Sequence, residues 1–119
     1  MPHQRLHNYV RTYRRRHGFS QTEIAVLLGA HSKAMISRYE AATRLPAVKT
    51  VWAFEVVFGQ PAQELFAGHY RPVDMAVRAR ARRLLKKLTA DAAEPYPPNI
   101  ARKVALLRSI VEPKRPSLP

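Results

Sequence analysis

The residues that could do chemistry are few and scattered. Five histidines stand at positions 3, 7, 17, 31 and 69, with no carboxylate or cysteine partner at metal-ligand spacing. His3 and His7 are four apart and could chelate weakly on a helix, but two ligands do not make a zinc site. Glu55 and Asp74 are isolated acids without a partner suited to general acid–base work. Only four glycines are present, so no Gly-rich loop can cradle a phosphate, and without cysteine there is no disulfide, thiolate nucleophile or thiolate metal site. No enzyme, no metal and no cofactor are expected.

Positive charge is what remains. The 119 residues carry 21 Lys and Arg against 8 Asp and Glu, a formal net charge of +13. Such a field favours nucleic acid or another anionic surface, and it steers association without specifying a sequence. Residues 1–70 hold 9 basic against 4 acidic residues, and residues 71–119 hold 12 against 4. The tail is therefore the more basic part, although Arg can also simply solvate helix faces. The length allows one small domain, or one domain with an extension, and no large internal substrate cavity. No cavity-lining set points to an effector. No apolar run is long enough to span a membrane, and residues 1–20 lack the pattern of a secretory signal. Their Arg-rich character fits a first helix better than an organellar transit peptide, and a cytoplasmic location is the expectation.

The elements that must position these cations are helical. Residues 5–17 place Leu6, Val10 and Tyr13 on one helical face, and Gly18 is suited to end it. Ser20 with Glu23 is a capping box opening a helix from about Gln21 to Leu28, with Ile24, Ala25 and Leu28 inward. Val26 and Leu27 are apolar too. Burial on most sides of this helix is the favoured expectation, and an exposed patch for a partner is the other. After the corner at Gly29, Ala30 and His31, Ser32 caps a helix from Lys33 to Ala41 or Ala42, with Ile36 and Tyr39 inward and Met35 exposed or semi-buried. Residues 47–58 read as a helix with Val48, Val51, Trp52, Glu55 and Val56 on one surface, ending before Gly59. Pro61 opens a fifth short helix that includes Leu65 and Phe66. From Pro72 a basic helix carries Val73, Val77, Ala81, Leu84 and Leu88 on a narrow stripe. A proline-rich loop over 90–98 leads to a last helix, with Asn99 as cap and Ile100, Val104, Leu107 and Ile110 or Val111 inward. Residues 112–119, with three prolines, are expected to be loose. No hairpin signal occurs, so the fold class is all-α.

In order and spacing, residues 6–66 resemble the Cro/repressor-type (XRE-like) helix-turn-helix domain. The matching elements are Arg14 ahead of Gly18, SQTEIAVLLG at 20–29, ISRYE at 36–40, Pro46, and the apolar helix leading to GQPAQELF at 59–66. The resemblance implies a five-helix domain over residues 1–70 that binds double-stranded DNA through the major groove. Residue by residue, it implies that Ser20 and Gln21 meet the DNA backbone at a helix N-terminus. Lys33, Ala34, Met35, Ser37 and Arg38 match outward positions of the recognition helix. Lys33 and Arg38 suit guanine acceptors, while Ala34 or Met35 suits a thymine methyl. His31 and Ser32 lie nearer the backbone, Arg44 meets phosphate, and Arg14 with Glu40 forms an internal salt bridge.

Two departures stand out. Gly29 to Glu40 is one residue longer than the usual family spacing, which alters the turn or the first recognition turn. Ala41 and Ala42 stand where the family often has Asn or Gly, which removes the usual basis for a phosphate contact and a left-handed helix end.

Residues 71–119 are expected to form a basic helical extension. It resembles, more weakly, C-terminal extensions of small phage- or plasmid-type regulators. Its stripe at Val73, Val77, Ala81, Leu84 and Leu88 could dimerise, bind a protein partner through residues 71–111, or pack on the first domain. Three functions fit: a small dimeric repressor on a palindromic operator, an antitoxin whose extension or apolar patch binds a toxin, and a less specific architectural or RNA-binding protein.

Overall fold

A computed structural model describes residues 6–29 and 31–113. Residues 1–5, Ala30 and the end from 114 lie outside the described residues, and with them His3, the expected helical start at Arg5 and most of the expected loose terminus. The described residues form seven helices and no strand: α1 (Val10–Arg16), α2 (Gln21–Leu27), α3 (Lys33–Glu40), α4 (Val48–Phe58), α5 (Ala62–Leu65), α6 (Ala67–Asp91) and α7 (Pro98–Val111). The fold is all-α. The chain divides into two compact units, Met1–Arg71 and Pro72–Pro119.

The first unit closes around Val10, Ile24, Ile36, Phe54 and Leu65, with Ala25, Tyr39, Phe58 and Phe66 beside them. Phe54 stacks on Phe58 and meets Tyr39 and Phe66 near edge-on, arrangements that the ring quadrupoles favour. The first helix starts at Val10, later than its apolar spacing suggests, because Asn8 intervenes. The buried Asn8 side chain accepts from Val10 N and donates to Tyr39 O, fixing the entry to α1 against the end of α3. Leu6 lies outside the helix and is exposed. The stretch before α1 is held by main chain: Tyr9 N donates to Leu65 O at 2.7 Å and Gly68 N to His7 O at 2.9 Å. A Cβ on Gly68 would fall 2.5 Å from His7 Cα, so no other residue fits there without displacing this stretch.

Two expected faces are corrected in this unit. Val26, 74% exposed, and Leu27 are not buried, because Ile24 and Ala25 already fill the inward side of α2. On α4 the inward side is Thr50, Phe54 and Phe58, with Val51 and Val57 packed against the core; Val48, Trp52 and Val56 remain exposed. Glu55 instead accepts a hydrogen bond from Ala62 N and so opens α5. Gly59 ends α4 in the left-handed conformation, φ 63°.

In the second unit, α6 and α7 form an antiparallel hairpin, in which Arg78 donates to Ile110 O near the open end. The basic helix does not begin at Pro72. It is under way from Ala67 with Pro72 inside it, so the bond that Pro72 cannot donate is the one to Gly68 O. The inward row is also displaced from the expected stripe. Ala81 is buried and Leu85 and Leu88 half-buried, and Asp74 and Arg78 continue the same row, paired at 3.0 Å. Val73, Val77 and Leu84 are exposed on the neighbouring row. On α7, Val104 and Leu107 are buried and Ile100, Ile110 and Val111 half-buried. Its cap position is Pro97, with Pro98 at the first turn in place of an Asn99 cap, since a proline there forgoes only a donor that would be unpaired anyway.

Candidate nucleic-acid interface

Two short helices set at a corner form the centre of the site, and each has its own local reason to start and stop. Ser20 Oγ accepts from Glu23 N at 3.0 Å while Glu23 Oε1 accepts from Ser20 N at 2.9 Å, a closed capping box at the head of α2. The Ser20 backbone N–H, then its hydroxyl, hold the Glu23 carboxyl below its ordinary value. The carboxylate's contribution to the cap is therefore present at neutral pH and is lost as pH falls through that lowered value. Ser32 Oγ accepts from Met35 N at 3.1 Å and starts α3.

The far end of α3 is a left-handed stop. Ala42 has φ 59°, Ala42 N bonds Tyr39 O, and Thr43 N bonds Arg38 O at 3.0 Å. These two bonds make a Schellman motif, built here on alanine in place of the usual glycine or asparagine. The left-handed end that Ala41 and Ala42 argue against is present all the same.

The corner leads from Gly29 to the cap at Ser32. Gly29 is left-handed at φ 83° and its carbonyl accepts from His31 N. From Ser32 onward α3 is a regular helix.

With Ile36 and Tyr39 turned into the core, the helical period puts Lys33, Ala34, Ser37 and Arg38 on the outer face, all exposed. Met35 is half-buried against the core, which leaves Ala34 as the exposed methyl. His31 is turned inward: Nε2 lies 3.3 Å from Thr50 Oγ1, Nδ1 is buried, and the ring meets Tyr39. That geometry ties His31 to the scaffold through Thr50 and Tyr39. Ser20 spends its hydroxyl on the cap. Arg44 is exposed in the loop after α3.

Behind this face lies a polar network. Arg14 grips Glu40 with two hydrogen bonds, Nε to Oε2 at 2.6 Å and Nη2 to Oε1 at 3.0 Å, and donates a third from Nη1 to Phe19 O. The Glu40 side chain is only 4% exposed. Its hydrogen bond raises the Arg14 guanidinium above the ordinary value, and burial opposes that shift less strongly. Gln21 Nε2 also donates to Glu40 Oε1, at 3.1 Å, so the head of α2 is tied to the end of α3.

An open cleft of about 350 Å³ collects Arg11, Arg14, Arg15, Ser20, Gln21, Thr22 and Lys33. Arg11, Arg15 and Thr22 were not singled out from the sequence. Arg11 and Arg15 are four apart, one turn from each other on α1, and that spacing is the signal that could have found them. Since Arg14 is committed to Glu40, the cations of this cleft without an ion-pair partner among the described residues are Arg11, Arg15 and Lys33. Phosphate is the group such a rim suits.

A second open cleft, about 410 Å³, is lined by Tyr9, Tyr13, Gln63, Glu64, Ala67 and Tyr70. Its one charged residue, Glu64, is acidic. Among the described residues no three metal-ligating side chains come together.

The helix-turn-helix family model matches residues 10–65, from the start of α1 to the end of α5. Residues 10–65 are a Cro/repressor-type helix-turn-helix domain. This is the domain of a family of sequence-specific DNA-binding transcription regulators, and in it α2 and α3 are the two helices of the motif. No curated protein and no solved structure matches the chain. Outside the domain, exposed Arg82, Arg83, Lys86, Lys87, Arg102, Lys103 and Arg108 make the second unit strongly basic in its own right. No helix among the described residues is long and apolar enough to cross a membrane.

Proposed function

We propose that the protein is a small cytoplasmic repressor that binds a palindromic operator as a homodimer, with α3 in the major groove. The observation that carries this reading is the outward row of Lys33, Ala34, Ser37 and Arg38, whose side chains are exposed and make no hydrogen bond to other described residues, beside the cationic cleft that Lys33 shares with Arg11 and Arg15. Arg38 and Lys33 offer donors to guanine O6 and N7, Ala34 offers a methyl to thymine, and Ser37 serves either. Arg11, Arg15, Thr22, Gln21 and Arg44 hold phosphates and fix the docking register without reading bases. The test is selection of bound sequences from a random duplex pool, followed by binding of a Ser37→Ala/Arg38→Ala double variant. A defined inverted repeat should emerge, and the double variant should lose about 10-fold to 1000-fold in affinity for it at fixed salt. Equal binding to all duplexes, with affinity that only falls with salt, would instead indicate an architectural protein.

A second reading is supported by the exposed Val26 and Leu27 and by Val73, Val77 and Leu84. These faces suit a protein partner, as in an antitoxin that uses the same DNA domain. Co-purification of a stoichiometric small protein, abolished by Val73→Asp/Val77→Asp, would favour it.

A further inference from the structure

Three of the five tyrosines of the chain, Tyr9, Tyr13 and Tyr70, line one open cleft of the first unit. Tyr9 and Tyr13 stand at the head of α1, Gln63 and Glu64 on α5, and Tyr70 at the head of α6. At about 410 Å³ the cleft falls in the range of small-ligand sites. Its polar groups are uncommitted. The three phenol hydroxyls, the Gln63 amide and the Glu64 carboxylate make no hydrogen bond or ion pair with other described residues. The other carboxylates of this unit are all engaged: Glu23 closes the capping box, Glu40 holds Arg14, and Glu55 accepts from Ala62 N. Glu64 is exposed, and a first-turn acid on a four-residue helix has little dipole to complement. Folding does not explain this set.

We infer that the cleft binds a small organic cation, a protonated amine on a flat apolar body. Glu64 and Gln63 meet the ammonium, and the tyrosine rings surround the body. Charge selects the sign. A carboxylate attracts positive charge, and so does the face of an aromatic ring, whereas both repel an anion. Tyr13 already takes a cation in this way, with Arg16 Cζ 5.0 Å from its ring centroid. Tyr9 and Tyr70 hold none among the described residues. Arg11 and Arg15 lie two residues either side of Tyr13, about 200° around the helix, and line the other cleft instead. Their charge thus faces away from Glu64. The free oxygens select the kind of cation: they accept N–H donors, which a protonated amine carries and a quaternary ammonium lacks. The main chain disfavours a peptide, because Tyr9 N and Gly68 N are bonded to Leu65 O and His7 O and leave no free edge. The inference goes beyond the operator reading and does not depend on it.

The full-length protein, isotopically labelled, is to be titrated with phenethylammonium and followed by its amide resonances. Saturable shifts should appear at Tyr9, Tyr13, Gln63, Glu64 and Tyr70, with dissociation on the order of 0.1–1 mM for so small a probe. Two close analogues test the sign: neutral phenethyl alcohol and anionic phenylacetate should each bind about tenfold more weakly or worse. Glu64→Gln should weaken phenethylammonium about tenfold and leave the alcohol unchanged. Tyr70→Leu should weaken both about threefold. Both positions are exposed, so circular dichroism should match that of the parent. No saturable shift when the probe reaches about ten times the expected dissociation constant overturns the inference. Equal binding of the three probes, or shifts centred on Trp52 or on Lys33 and Arg38, also overturns it. So does undiminished phenethylammonium binding by Glu64→Gln.

Discussion

The two units differ in how they balance apolar burial against charge. The first packs three phenylalanines and Tyr39 around fully buried Val10, Ile24, Ile36 and Leu65, and braces them with the Arg14–Glu40–Gln21 network. The second holds two helices with Ala81, Val104 and Leu107 as its buried residues, yet carries the greater share of the basic side chains. A dense core can hold a rigid reading face, in which the position of Arg38 or Ser37 is fixed by what lies beneath it. A hairpin with so slight an interior presents charge over a broad surface and has little to fix any one side chain.

The largest expected effect comes from removing the centre of the better-packed unit. Phe54→Ala should destabilise it by about 3–5 kcal/mol, read as a lowered urea midpoint in Trp52 fluorescence. Leu107→Ala should leave that Trp52 transition in place; one common transition shifted equally by both would break the comparison. Next comes Glu40→Gln, which leaves the Arg14 guanidinium, 11% exposed, without its charge partner. A loss of about 3 kcal/mol is expected, and a loss below about 1 kcal/mol would mean that the pair acts as an ordinary surface bridge. Smaller again are the phosphate cations. Arg11→Ala/Arg15→Ala should weaken binding to every duplex alike and reduce the slope of log affinity against log salt by about two. Arg82→Ala/Arg83→Ala makes the matched measurement for the second unit, and an equal fall in slope would show that its field acts on the same duplex. The smallest effect is a gain. Ala42→Gly relieves a left-handed alanine and should raise stability by about 0.5–1 kcal/mol in chemical denaturation.

Local signals in this chain were readable, and those that depend on distant partners were not. The Ser20–Glu23 box, the Ser32 cap and Gly59 act within a few residues, so their spacing alone marked the helices α2, α3 and α4. The start of α1 was misplaced because Asn8 makes its decisive bond to Tyr39, 31 residues away. On α4 almost every position is apolar, so periodicity could not tell the row that meets the core from the row that meets solvent. The inward row of α6 was displaced for the opposite reason. Counting apolar residues cannot admit Arg78, whose head is drawn in by the Ile110 carbonyl. At the reading face, the outward row followed from helical phase, whereas the inward turn of His31 depends on Thr50 and could not be read from the corner itself.

Glu40 is turned inward, and α1 and α2 both converge on it: Arg14 takes two of its acceptor positions and Gln21 takes another. A variant lineage can therefore explore new outward residues at 33, 34, 37 and 38 one at a time, since each stands free of the others. It has no such freedom at 40, where a single exchange alters fold and docking together. The outward row can drift while its foundation stays fixed, without a loss of folding along the way.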